Sequence, residues 1–130
     1  MLYIIKRIKY CWEADRMGPD MLFTHIISHF PKYYIGICKK KFGAFGDNSE
    51  LRPGAYAIDC SGIKIGDHVV MRPGCMLYGH KNYPLIIGDN VLIGPSVFIY
   101  SANHRYNDIT QLISKQGHVI EKSIEIKDGA

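Results

Sequence analysis

The sequence has no run that approaches the roughly 20 consecutive apolar residues a membrane span needs. No secretory leader is expected either. Lys6, Arg7 and Lys9 interrupt the short apolar stretch near the start, and no small-residue cleavage site follows. Charge of one sign is scarce: 16 Lys and Arg stand against 12 Asp and Glu, a formal net charge of +4. The basic residues gather on no periodic face beyond the first helix, so nucleic acid is not an expected partner. The run Lys39-Lys40-Lys41 reads as the cationic close of a helix. The four cysteines, Cys11, Cys38, Cys60 and Cys75, lack C-x-x-C spacing. They read as reduced, structural thiols of a cytoplasmic protein rather than a disulfide frame or a zinc site.

A six-residue period is present instead. Ile87-Gly88-Asp89-Asn90-Val91-Leu92 is followed by Ile93-Gly94-Pro95-Ser96-Val97-Phe98 and then Ile99. The aliphatic recurs at 87, 93 and 99, with Val91 and Val97 four places after the first two. Ile65-Gly66-Asp67-His68-Val69-Val70 and Met71-Arg72-Pro73-Gly74-Cys75-Met76 repeat the phrase, and Leu51 to Tyr56 is a ragged copy. Hexads of this kind build a parallel β-helix, with one short strand and one corner per hexad. Gly, Asp and Asn suit the left-handed backbone of sharp corners. The phase slips between 65 and 87, which predicts a bulge near Gly79 to Pro84. Ile124 to Ala130 restarts the repeat.

Upstream, residues 2–15 read as an amphipathic helix with Leu2, Ile5, Ile8 and Trp12 near one face. That face is expected to pack on the coil or a neighbouring subunit; weak contact with an anionic membrane surface is the second reading. Gly18-Pro19-Asp20 marks a break, with Asp20 as N-cap of a helix over Met21 to Phe30. Pro31 interrupts it, and a helical pattern resumes to about Phe42, ended by Gly43 and Gly46. Asp47-Asn48-Ser49 reads as a loop. The division is therefore a helical segment over 1–46 and a β-helix over 47–130. An excursion lacking the hexad rhythm covers about 105–122. The helices are expected to cap one end of the solenoid, and the C-terminal coils are expected to be absent.

With these residues in view, the chain resembles the left-handed β-helix acyltransferases of the hexapeptide-repeat superfamily. The resemblance rests on Ile-Gly-Asp-Asn-Val-Leu-Ile-Gly at 87–94 and on the strand running into Ser101-Ala102-Asn103-His104-Arg105-Tyr106. Asp15 to Asp20 and Arg52 to Tyr56 look like the branch that O-acetylates sugars of lipopolysaccharide, O-antigen or capsule. The resemblance implies a homotrimer, acetyl-CoA as co-substrate in a groove between coils, and His104 as general base. Imidazole suits that role, because its unperturbed pKa lies near working pH. Asn103, Arg105 and Tyr106 beside the base, and Tyr78, His80 and Asn82 near the phase slip, are expected acceptor-binding residues. Asn107-Asp108 reads equally well as a turn.

The remaining histidines carry less. His68 falls at a solvated corner. His25 and His29 lie one helical turn apart with no third ligand in sight, so no metal is expected. His118 sits in the excursion and is given no role, a neighbour's site being the one it could meet. A zinc hydratase on the same kind of coil needs three convergent His ligands. His68, His80 and His104 lack the two-His spacing that such a site puts on one coil. The competing non-enzymatic reading is a truncated β-helix trimer that does not turn over acetyl-CoA.

Overall fold

The structure, a computed structural model, describes residues 1–120 and 122–130; position 121 of the expected excursion lies outside them. Three helices lead: α1 (Leu2–Glu13), α2 (Leu22–Ser28) and α3 (Pro31–Lys41), with a short strand β1 (Arg16–Met17) after the first. The first turn of the coil is β2 (Ala44–Phe45), β3 (Glu50–Leu51) and β4 (Tyr56–Ile58). The second is β5 (Ile63–Ile65), β6 (Val70–Met71) and β7 (Met76–Tyr78), and the third is β8 (Leu85–Ile87), β9 (Leu92–Ile93) and β10 (Phe98–Tyr100). A hairpin of β11 (Ala102–His104) and β12 (His118–Ile120) leaves the coil, and β13 (Ile124–Ile126) rejoins it.

Strands one turn apart pair in parallel and form three faces: β2-β5-β8-β13, β3-β6-β9 and β4-β7-β10. The register stacks like on like. Phe45 meets Ile65, Ile65 meets Ile87, and Ile87 meets Ile126. Leu51, Met71 and Ile93 form a second ladder, and Ala57, Leu77 and Ile99 a third. The hexad aliphatics thus supply most of a single core. One corner is tied by carboxylates. The amides of Asp47, Asp67 and Asp89 donate to Oδ1 of Asp67, Asp89 and Asp128 at 2.7, 2.8 and 2.8 Å. Asn48, His68 and Asn90 follow with φ of 56, 55 and 57°. The glycine before Asp47, Asp67 and Asp89 is a matter of space. A Cβ on Gly66 would lie 2.3 Å from Asp89 Oδ1 and 2.7 Å from the Gly88 backbone, so adjacent turns would have to part.

This ladder moves the expected boundary. Asp47-Asn48-Ser49 is a loop as expected, the corner between β2 and β3, and the first strand of the coil already begins at Ala44. Phe45-Gly46-Asp47-Asn48-Ser49 is the hexad phrase with an aromatic in the aliphatic place. The end turn accepts the larger ring because α3 covers it: Phe42 and Phe45 lie 5.2 Å apart edge to face, with Tyr34 and Cys38 in the same cluster.

The helix ends also differ. Helix α1 stops at Glu13 because Asp15 accepts from the Ser61 amide and Arg16–Met17 pairs antiparallel with β4. Asp20 does not cap α2; its carboxylate pairs with Arg16, and the helix starts at Leu22. Pro31 opens α3, where its missing N–H costs nothing. The apolar side of α1 does not pack on the coil. Only Cys11 of that helix is buried, and Trp12 meets Phe23 of α2 at 4.9 Å.

Two consequences are measurable. Gly36 is exposed on α3 and a Cβ there meets nothing within 4 Å. Gly36→Ala is expected to stabilise the fold by about 0.5–1 kcal/mol in urea titration, since glycine is a poor interior helix residue. All four cysteines are free and buried. Burial pushes the Cys75 thiol up to about 11 and the Cys38 thiol up to about 12. Thiolate is the reactive species. Iodoacetamide at neutral pH is therefore expected to leave both unlabelled in the folded chain and to label them once it is unfolded, read by mass spectrometry.

Candidate active site

The site begins where the chain leaves the coil. Tyr100 ends the third turn, and the Ser101 hydroxyl donates to the Tyr78 carbonyl one turn below at 3.1 Å, fixing the exit. Strands β11 and β12 then pair antiparallel, with Ala102 opposite Ile120, Asn103 opposite Val119 and His104 opposite His118. The excursion is thus a hairpin, and His104 stands on its strand rather than in a loop. Beyond it the tip is held by its own side chains. The Asp108 carboxylate accepts from the Thr110 amide and hydroxyl at 2.9 and 2.6 Å and from Gln111 at 2.7 Å. These bonds, those from Thr110 foremost, hold the Asp108 carboxyl below its ordinary pKa. Asn107-Asp108 accordingly serves the hairpin's turn.

Between the hairpin and the β7–β10 face lies an open cavity of about 740 Å³. Tyr78 and Tyr100 line it from the coil, and Asn103, His104, Tyr106 and His118 from the hairpin; Lys122 and Ile124 line it as well. The volume is that of a small-molecule site. The His104 and His118 rings lie against each other, centroids 4.2 Å apart and tilted by 35°. The His104 amide donates to Asn103 Oδ1 at 2.8 Å. Among the described residues no side chain hydrogen-bonds either imidazole, so the ring stack is the contact that holds them. Tyr78 and Tyr100 rings are 6.0 Å apart, and the Tyr100 hydroxyl donates to Met76 Sδ. Partial burial, with the Asp59 charge adding to it and Arg16 opposing, raises the Tyr78 phenol above its ordinary value and keeps it protonated.

Of the expected residues, Tyr78, Asn103, His104 and Tyr106 come together around this cavity; Arg105, His80 and Asn82 do not line it. Arg105 points its backbone to the Gly117 carbonyl across the hairpin. His80 is held locally instead: its Nδ1 accepts from the Asn82 backbone N–H at 3.2 Å, and its ring sits against Tyr83. Tyr100, His118 and Lys122 were not singled out by the sequence as cavity residues. The pairing of β11 with β12 carries His118 there, and nothing periodic announces it. Among the described residues no three of His, Cys, Asp or Glu cluster as a metal-binding group. No helix among them is long and apolar enough to cross a membrane.

No protein-family model matches the sequence, and no curated protein matches it. A solved structure does. The chain is similar to a hexapeptide-repeat-containing acetyltransferase of Vibrio cholerae, with a TM-score of 0.62 and 29% identity. That likeness supports the hexapeptide-repeat superfamily. It covers 75% of this chain and 53% of the other, so the chain spans about half the length of the structure it matches.

Proposed function

We propose that the chain is the acceptor-side part of a left-handed β-helix O-acetyltransferase, transferring an acetyl group from acetyl-CoA to a hydroxyl of a sugar or glycan precursor. The observation that carries the reading is His104: an exposed imidazole on the wall of the open cavity between the hairpin and the coil. The acetyltransferase activity of the similar Vibrio protein points the same way.

His104 takes the proton of the acceptor hydroxyl as its oxygen attacks the thioester carbonyl, then returns it to the departing thiolate. Direct transfer needs no covalent enzyme intermediate. Tyr78 and Tyr106 offer ring faces and hydroxyls for a sugar, and Asn103 stands beside the base. His118 is a positioning residue: its ring lies against His104 and restrains the imidazole's orientation. The hydroxyl-rich acceptors of lipopolysaccharide, O-antigen or capsule synthesis, in the cytoplasm, fit such a cavity. A homotrimer is the expected assembly, with further coils completing the donor groove.

Calorimetry with acetyl-CoA tests the reading on this chain and on a version carrying further coils. Binding by either is the expected result. Binding by neither would remove the acetyltransferase and leave a non-catalytic coil.

A further inference from the structure

The helical end of the molecule has a surface that the catalytic reading does not use. On α1, Ile4, Ile8 and Trp12 recur every four residues, with Ile5 beside them, and form one stripe. They are 61, 55, 50 and 56% exposed respectively. The stripe opens onto an apolar groove of about 580 Å³, lined by Ile5, Ile8, Lys9, Trp12 and Phe23. Leu22 and Ile26 of α2 are exposed as well, at 66 and 53%. The cations Lys6, Arg7 and Lys9 are all exposed, and Glu13 is the one acid on the helix. The Lys9–Glu13 pair is 3.8 Å long and largely exposed, so it restrains its side chains only weakly. Tyr3 and Tyr10, with half-exposed Trp12, put amphipathic aromatics on the same short helix.

We infer that α1 lies on an anionic lipid surface, its isoleucine stripe and groove in the headgroup boundary and its Lys and Arg at the phosphates. Three features favour this occupant. Cations beside an apolar stripe complement a negatively charged interface. Lysine and arginine can extend their charged ends to the headgroups while their stems cover apolar surface. Twelve residues span about 18 Å, too short to cross the hydrocarbon, so the helix lies along the surface. A twofold contact through this face with a second copy would instead set the same cations against each other. The inference does not depend on the acetyltransferase reading.

The single tryptophan is the probe. The full chain is mixed with vesicles of phosphatidylcholine alone, or with about 30 mol % phosphatidylglycerol, and floated on a density gradient. Flotation with the anionic vesicles, a blue shift of Trp12 emission, and loss in about 0.5 M salt are expected. Ile8→Asp, at an exposed position, is expected to weaken binding at least about tenfold while leaving the circular dichroism and the melting temperature unchanged. The inference is overturned by absence of flotation, by equal flotation of Ile8→Asp, or by salt-indifferent binding to both vesicles. Sedimentation velocity supplies the remaining outcome. If Ile8→Asp dissociates an oligomer without touching vesicle binding, the face belongs to a second copy and the lipid proposal falls.

Discussion

His104→Ala is expected to lower acetyl transfer from acetyl-CoA to a glycoside hydroxyl by about 10²–10⁴-fold, the usual contribution of a positioned general base. The fall should appear in kcat, because a base in the proposed role acts on the reacting proton while the cavity walls remain. It should not appear in stability. His104 is exposed and its ring has no hydrogen-bonded partner among the described residues, so its truncation is expected to change folding by no more than about 0.5 kcal/mol. Thiol release monitored with a chromogenic disulfide, beside a thermal melt, reads both. His118 gives the graded control. Stacked rings are worth about 0.5–1.5 kcal/mol, so His118→Ala is expected to slow turnover about two- to tenfold, and His118→Phe to recover most of it. An unaffected His104→Ala enzyme would sink the base assignment. An active-site His104 with an indifferent His118 would sink only the positioning role.

Leu77→Ala is expected to destabilise the fold by about 2–5 kcal/mol, the cost of an aliphatic truncation in a packed core. Leu77 is fully buried at the centre of the β4-β7-β10 face, in register with Ala57 on one side and Ile99 on the other. Ala57 is already small and the strands are pinned by parallel ladders on both edges, so neighbours cannot move in to fill the space. For a chain of 130 residues that loss corresponds to a melting temperature lower by about 8–20 °C. Calorimetric or circular-dichroism melts decide it. A shift of a degree or two would mean that the turns of the coil do not pack as one core.

Most of the coil was legible because each of its turns repeats a local rule. The aliphatics at 65, 87 and 93 point inward wherever the chain is wound, and the phase slip before Leu85 shows as the loop between β7 and β8. The first turn is the least legible for an equally physical reason. Its partner on one side is α3, not another turn, so Phe45 and Ser49 replace the expected aliphatics and the phrase loses its signature. Asp20 looks like a cap in isolation, yet Arg16 lies one helical spacing away and takes its carboxylate.

The site divides along the same line. Sequence by itself determined the ladder of hexads, the corners, the buried thiols and the exposed imidazole at the coil's exit, because each follows from spacing or from the chemistry of a few neighbouring residues. Tertiary structure decided which groups surround that imidazole. The β11–β12 register brings His118 onto His104 from across a hairpin tip held by Asp108 and Gln116. The loop at 79–84 folds the His80 ring onto the Asn82 backbone N–H, and neither residue lines the cavity. Pairing across an irregular excursion is set by long-range backbone bonds, which leave no period in the sequence.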